Sequence, residues 1–377
     1  MKKLTKSLCA LTALALLAAC NKDADSGAPA PAAKTNFEVS LPGALETYAV
    51  EDPQAAGQIT PFYNNVAVYL ADAGGNVTYY AWTDAEIKAR QKRFEQITEP
   101  AQVLVVVNSG SVVLPTGTVP VSELTAAMMK SSVADQNQTA KTLATEDAKG
   151  NAAGTYNSVQ QVMLAGDQSV FTTETADDGH TLKKAAVELS SIVSRFEIGT
   201  VKKGTGLDAL TVEAVYVNNF LNFNGGIYNS TLQNYNEITW PATFTPAWAT
   251  DAYNAAVTSV SGTKAYAYQV FSGYVVPHII YKVSGTVSAG YKLSDGTGDA
   301  DNPTPFTGKY ITVKGFRESG TLLSSTAPHK IYKMGLENGG IEITPDKITD
   351  KPEKDKMDLI VAITVADWTA SNVTPEI

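Results

Sequence analysis

Three observations predict an all-β fold built as two tandem β-sandwich domains with one or two short helices. Only 18% of the 377 residues are charged and Tyr outnumbers Phe by 17 to 11, the make-up of secreted β-structure rather than of a helical bundle. Short apolar runs of period two recur between turns rich in Gly, Asp and Asn, which is the pattern of sandwiches. The length exceeds what one ordinary core uses, so two domains are expected, at 37–190 and 191–356.

The first twenty residues read as an export signal. Lys2, Lys3 and Lys6 precede an apolar run from Leu8 to Leu17 that is too short to span a bilayer. The run ends Leu17-Ala18-Ala19-Cys20, a match to the bacterial lipobox, in which the cysteine becomes the acylated first residue of a lipoprotein. A diacylglycerol and an amide-linked chain such as palmitate suffice for stable anchoring. Cys9 leaves with the leader and Cys20 takes the lipid, so neither of the two cysteines is left for a disulfide, a thiolate nucleophile or a metal.

Residues 21–36 (NKDADSGAPAPAAKTN) bury nothing and read as a disordered tether. Phe37, Val39 and Leu41 alternate in a short first strand that Pro42-Gly43 ends, and Ala44 to Thr60 reads as an exposed loop. Val66 to Leu70, the turn Asp72 to Asn76 and Val77 to Trp82 form a hairpin. Thr83 and Glu86 make a capping box, and Ile87, Arg90, Phe94 and Ile97 can share one face of a helix of about three turns that Pro100 stops. Gln102 to Val107 is a buried strand, Ser122 to Ser132 a weaker helix, and Ala134 to Ser158 a long polar loop. Strands are expected at Val162–Leu164, Ser169–Thr173 and Ala185–Leu189, and in the mid-chain segment SIVSRFEIGTV, beside which the domain boundary falls.

The second half repeats this style at Leu210–Val217, Tyr266–Val276, Ile279–Val287, Lys309–Phe316, His329–Met334 and Ile341–Ile343. After a charged linker, Lys347 to Lys356, comes the sharpest alternation in the chain. In Met357 to Trp368 the large apolar residues Met357, Leu359, Val361, Ile363 and Val365 share one parity. Such a strand either completes its own domain's sheet or fills a groove in another molecule. In the second case each apolar side chain contributes ~1.5–3 kcal/mol before ordering costs, enough for a slow-dissociating joint by strand addition.

Nothing else carries chemistry at motif spacing. His180, His278 and His329 are far apart, and Asp295, Asp299, Asp301 and Asn302 suit a hard cation but fail the EF-hand pattern. Tyr216 to Tyr228, with Tyr235, Trp240 and Trp248, supply the aromatics and amides a glycan surface uses; equally, they can pack back on the sandwich. With no convergent acid, base or nucleophile, the expectation is a non-enzyme without cofactor or metal. A net charge of −9 and no basic run argue against nucleic acid.

The lipobox at Cys20, the Phe37–Leu41 strand, SRFEIGTV, HKIYKM and above all the ending Ile363-Thr-Val365-Ala-Asp-Trp368 resemble the fimbrillins of Bacteroidales, the type V pilus subunits. That resemblance runs over nearly the whole chain. It implies two transthyretin-like sandwiches, export as the outer-membrane lipoprotein precursor of a Gram-negative bacterium, and proteolytic removal of the N-terminal strand. The groove so opened is filled by the C-terminal strand of the next subunit. On this sequence the displaced strand would include Phe37, Val39 and Leu41, and residues 357–377 would carry the donor, with Leu359, Val361, Ile363, Val365 and Trp368.

One departure bears on processing. Family members cut by an arginine-specific protease often carry Thr-Arg-Ala after the first strand, where this chain has Thr47-Tyr48-Ala49, and no arginine precedes Arg90. Cutting would fall at Lys34 or in the Ala44 to Tyr48 loop; otherwise the subunit stays lipidated and suits an anchor. The expected partners are copies of this chain or related pilus subunits, the outer membrane through lipid before processing, and a host protein or glycan. The expected location is the cell-surface fimbrium. A monomeric surface glycan-binding lipoprotein is the alternative of a different class.

Overall fold

A computed structural model of the chain describes residues 34–41, 60–175, 181–221, 257–258, 264–273, 276–336, 340–352 and 360–367. The fold is all-β. Strand β1 (Lys34–Ser40) begins three residues before the expected end of the tether, because Lys34, Thr35 and Asn36 already lie in a ladder. β2 (Val66–Ala71) and β3 (Asn76–Ala81) form the expected hairpin, and Asp72 Oδ1 ties its turn by accepting the Gly74 and Asn76 N–H groups at 2.8 and 2.9 Å.

Helix α1 (Asp84–Ala89) starts at the Thr83–Glu86 capping box but is half the expected length. Arg90 stops it in the left-handed region (φ 56°), and Gln91–Thr98 is strand β4 rather than two more helical turns. The misleading signal has a physical cause. A bulge at Gln96 (φ 50°) inserts one residue, so Phe94 and Ile97, three apart as on a helix, both reach the same apolar cluster from a strand.

β5 (Gln102–Val107) and β6 (Thr118–Pro120) lead into α2 (Val121–Met128) and α3 (Val133–Gln136). The expected long loop holds the small hairpin of β7 (Lys141–Leu143) and β8 (Gly154–Tyr156), whose connection is closed by Asp147, an acceptor for the Lys149 and Asn151 N–H groups. α4 (Ser158–Gln161), β9 (Leu164–Gln168), β10 (Thr172–Thr175), β11 (Thr181–Ala186) and β12 (Ser190–Ser191) finish the first half.

A four-stranded sheet in the order β10-β11-β1-β4 faces a six-stranded one, β12-β9-β5-β2-β3-β6. Phe37 and Val39 from the first meet Val66, Val68, Leu70, Val103, Val105 and Val107 from the second, as the period-two pleat requires. On the outer face of the larger sheet, Tyr69, Leu104 and Val106 are covered by Leu124 of α2.

The second half holds β13 (Val193–Ile198), β14 (Val201–Lys203), β15 (Leu207–Asn218), β16 (Val257–Thr258), β17 (Lys264–Phe271) and β18 (His278–Val287). They are followed by β19 (Thr304–Val313), β20 (Gly315–Glu318), β21 (Thr321–Leu322), β22 (Lys330–Met334), β23 (Ile341–Ile343) and β24 (Ile360–Asp367). A seven-stranded sheet, β16-β17-β13-β22-β24-β20-β21, packs Phe196, Val270 and Ile331 with Ile279, Tyr281 and Ile311 of the three-stranded sheet β15-β18-β19. Among the described residues, every sheet draws its strands from one side of the step between Ser191 and Val193.

Polar cross-links join the halves at β17. The Asn137 side chain accepts the Gln269 N–H at 2.8 Å and donates to the Gln269 carbonyl at 2.9 Å, completing the ladder there as a neighbouring strand would. Gln269 Nε2 donates to Ser158 Oγ at 2.7 Å, and its Oε1 accepts from Arg195, which pairs with Glu197 at 2.9 Å in a fully buried site. Buried networks of this kind fix orientation more than they add stability.

Candidate strand-exchange site

β1 occupies a slot. It runs parallel to β11, with Phe37 opposite Lys183 and Val39 opposite Ala185, and antiparallel to β4, with Phe37 opposite Phe94 and Val39 opposite Lys92. Phe37 and Val39 are 0% exposed and Leu41 is 4% exposed. Burying three such side chains contributes ~1.5–3 kcal/mol each. Phe171, from the β9–β10 connection, meets the Phe37 ring edge-on at 5.0 Å and caps this end of the groove. At the other end, the Leu41 N–H donates to the Arg90 carbonyl at 2.9 Å, and the Arg90 guanidinium lies 3.7 Å from the Tyr63 ring centroid.

Two polar devices on the strand were invisible to periodicity. Asn36 Oδ1 accepts the Gln96 N–H at 3.3 Å, so the spare amide of the β4 bulge is satisfied by a side chain of β1. Lys184 of β11 bridges Glu38 of β1 at 3.6 Å and Glu174 of β10 at 2.6 Å, and the Glu174 bond raises its pKa. Neither the acceptor role of Asn36 nor the partners of Lys184 could be read without the pairing register. Lys34 reaches Thr98 Oγ1 at 3.4 Å from inside the strand, so a cut there would leave Thr35–Leu41 seated. Cys20, Thr47, Tyr48 and Ala49 lie outside the described residues.

The terminal strand has a place of its own. β24 runs antiparallel to β22, with Val365 opposite Tyr332, and parallel to β20, with Val361 opposite Phe316 and Ile363 opposite Glu318. Val361 and Ile363 are each 7% exposed while Ala362 between them faces solvent, so the expected alternation is real. Of the two fates open to this strand, the isolated chain takes the first: it is an interior strand of its own sheet. Any donation requires it to leave β20 and β22. Leu359 and Trp368 lie outside the described residues.

The remaining sequence candidates are structural. His329 Nδ1 accepts the Ser191 N–H at 3.3 Å, His278 lies 3.4 Å from the Asn219 amide, and burial pulls both imidazoles down to about 4. His180 lies outside the described residues. Asp299 accepts the Asp301 and Asn302 N–H groups at 2.8 and 2.9 Å as a turn, and Asp295 pairs with Lys309, which also holds Asp350. Among the described residues no group of three or more His, Cys, Asp or Glu could hold a metal ion. Phe220 is buried against Tyr268 at 5.8 Å and packs into the core, while Tyr216 is buried beside Ile280 in a small cluster apart from the core that Val215 and Val217 enter. Tyr228, Tyr235, Trp240 and Trp248 lie outside the described residues. No helix among them is long and apolar enough to cross a membrane.

No family model matches the chain, and no curated protein matches it in sequence. Solved structures do. A putative cell adhesion protein from Bacteroides eggerthii is 17% identical, with 91% of this chain and 98% of that one covered and a TM-score of 0.45. A putative cell adhesion protein from Parabacteroides distasonis is 13% identical over 89% and 100%, with a TM-score of 0.47. A fimbrilin (FimA) from Porphyromonas gingivalis is 14% identical over 90% and 99%, with a TM-score of 0.43. The structural neighbours of this chain are thus a fimbrilin and putative cell adhesion proteins of Bacteroidales, at low sequence identity.

Proposed function

We propose that the chain is a structural subunit of a cell-surface fimbrium that supports adhesion and polymerises by strand exchange after proteolytic removal of its N-terminal strand. The supporting observation is the seat of β1: an interior strand that gives Phe37, Val39 and Leu41 to the core, the first strand among the described residues. A cut between Ala44 and Tyr48 leaves it held by non-covalent contacts alone. In this reading the chain is first an outer-membrane lipoprotein acylated at Cys20, with two domains meeting near residue 190, and the freed slot takes the C-terminal strand of another copy or a related subunit.

Backbone chemistry permits the transfer. β4 and β11 run in opposite directions, so any strand inserted between them gains one parallel and one antiparallel ladder. β24 has that environment now, between β20 and β22. Moving it from one slot to the other conserves main-chain hydrogen bonding, and net main-chain bonds being nearly conserved, side chains decide the balance.

The absence of arginine before Arg90 supports a second reading, an uncleaved anchor that keeps its lipid. N-terminal sequencing of the surface-extracted protein separates the two. A start near residue 45 supports a polymerising subunit; a blocked, acylated Cys20 supports the anchor and overturns processing.

A further inference from the structure

We infer that the strand received by the β1 slot is residues 356–363 of a second copy, running in the direction of β1, with Asp358 in the place of Asn36. This rests on the exchange reading above and adds the register, the direction and the residue that sets them.

The slot asks for more than apolar side chains. Gln96 is held at φ 50°, a conformation that costs a non-glycine residue free energy, and the bulge it forms leaves one N–H outside the ladder. Asn36 Oδ1 accepts that N–H at 3.3 Å and receives the Gln96 side-chain amide at 3.5 Å. Asn36 immediately precedes the first buried residue, Phe37. The Gln96 N–H lies on the exposed face, where water can also take it, so a replacement strand keeps this contact, and gains by it, when it brings an acceptor one position before its first buried side chain, followed by apolar residues at every second position.

In the direction of β1, one register of the C-terminal segment does this. Lys34-Thr-Asn36-Phe37-Glu-Val39-Ser-Leu41 aligns with Lys356-Met-Asp358-Leu359-Ile-Val361-Ala-Ile363, placing a carboxylate on the bulge, three apolar residues in the three sockets and a lysine where Lys34 meets Thr98. Sliding two residues later puts Ile360 on the bulge, and four later puts Ala362 there with Asp367 in the Leu41 socket; sliding two earlier puts Lys356 on it. None of these supplies an acceptor, and the second also buries a carboxylate. In the opposite direction, Thr364 falls on the bulge when Ile363, Val361 and Leu359 fill the sockets, but Ala366 then replaces Lys34. Reverse insertion is the competitor to exclude.

The test uses the full chain with a protease site in place of Thr47–Ala49, cut after folding, and a fluorescent synthetic peptide of residues 354–369. The native peptide and its Asp358→Asn form are expected to bind alike, Asp358→Ala to bind about three- to fivefold more weakly for loss of one solvent-exposed bond, and Thr364→Ala to change binding less than twofold. Glu38 sits opposite Arg93 in the present ladder. From Asn21 on the chain has no cysteine. An Arg93→Cys chain should therefore form a disulfide with an Ile360→Cys peptide and not with Ala362→Cys. Cross-linking through position 362, or affinity lost on Thr364→Ala in place of Asp358→Ala, overturns the register while strand exchange stands. Failure of every peptide to displace β1 overturns the exchange reading itself, and this inference with it.

Discussion

β1 and β24 hold matching positions in their sheets but are sealed differently. Each joins an outer element to the body of its sheet: among the described residues, beyond β1 lies β4, and beyond β24 lie β20 and β21, of four and two residues. The core-facing side chains of β1 are fully enclosed, Phe37 and Val39 at 0% exposure, with the Phe171 ring meeting Phe37 edge-on, whereas Val361 and Ile363 are each 7% exposed. The strand that the proposed processing discards is thus the tighter plug. The strand proposed for donation is flanked on one side by the short strands β20 and β21, and because Phe316 of β20 is itself fully buried against Phe196, lifting β24 also loosens that part of the core while the three-stranded sheet keeps its own ladders.

Deleting residues 357–377 breaks the comparison most severely. Hydrogen exchange should then lose protection at β20, β21 and the exposed edge of β22, while β2 and β5 keep theirs, because no sheet joins the two sets. Loss of protection throughout would mean that the terminal strand stabilises the whole chain and is no candidate for release.

Next in size are two truncations read by urea unfolding of the uncut chain. Phe37→Ala should cost about 3–5 kcal/mol, as for a fully buried aromatic with no space to collapse. Ile363→Ala should cost less, about 2–3 kcal/mol, because the side chain removed is smaller and is not fully enclosed. Equal losses would erase the difference in sealing.

Much of this arrangement could be read from the residues, and what could not has a physical reason. Alternation located β2, β3 and β24 within a few residues, and an unbroken apolar run located β5, which is buried along its whole length. Alternation cannot name a strand's neighbours, so whether Val361 and Ile363 faced their own sheet or another molecule's was undecidable until the pairing with β20 and β22 was known. β4 was hidden for a different reason. The extra residue at Gln96 turned a two-residue period into the three-residue spacing of Phe94 and Ile97, and the capping box at Thr83 made a long helix believable. Asn36 carried no signal, because its acceptor role exists only once the bulge faces it.

Acid should sharpen the comparison. Both described histidines with lowered pKa, His278 and His329, belong to the half that holds β24, the first beside Lys314 and the second beside Lys330. Burial keeps them neutral in the native state down to about 4, while the unfolded chain protonates near 6.5. Their contribution is complete above pH 6.5 and is lost as pH falls toward 4, about 2 kcal/mol each at most after solvent screening. Hydrogen exchange at pH 4.5 should therefore speed up at β18 and β22 before it does at β5. Uniform acceleration would place the acid sensitivity elsewhere.

The smallest effect concerns how β1 is held once it is cut. Lys184 pairs with Glu38 at 3.6 Å and Glu174 at 2.6 Å, and its side chain keeps about a third of its exposure, so the two pairs together are worth roughly 0.5–1 kcal/mol. In the proposed register Ile360 takes the position of Glu38, so an incoming strand forfeits one of these pairs and loses little by it. Lys184→Met keeps the stem that covers the sheet and removes the charge. In a chain nicked after Leu41, the variant should release the β1 peptide two- to fivefold faster at low salt, and the difference should vanish at 0.5 M salt, roughly where screening reaches a few ångströms. A difference that survives high salt would mean that Lys184 holds β1 by packing, and the ion pair would drop out of the account of what keeps the slot filled.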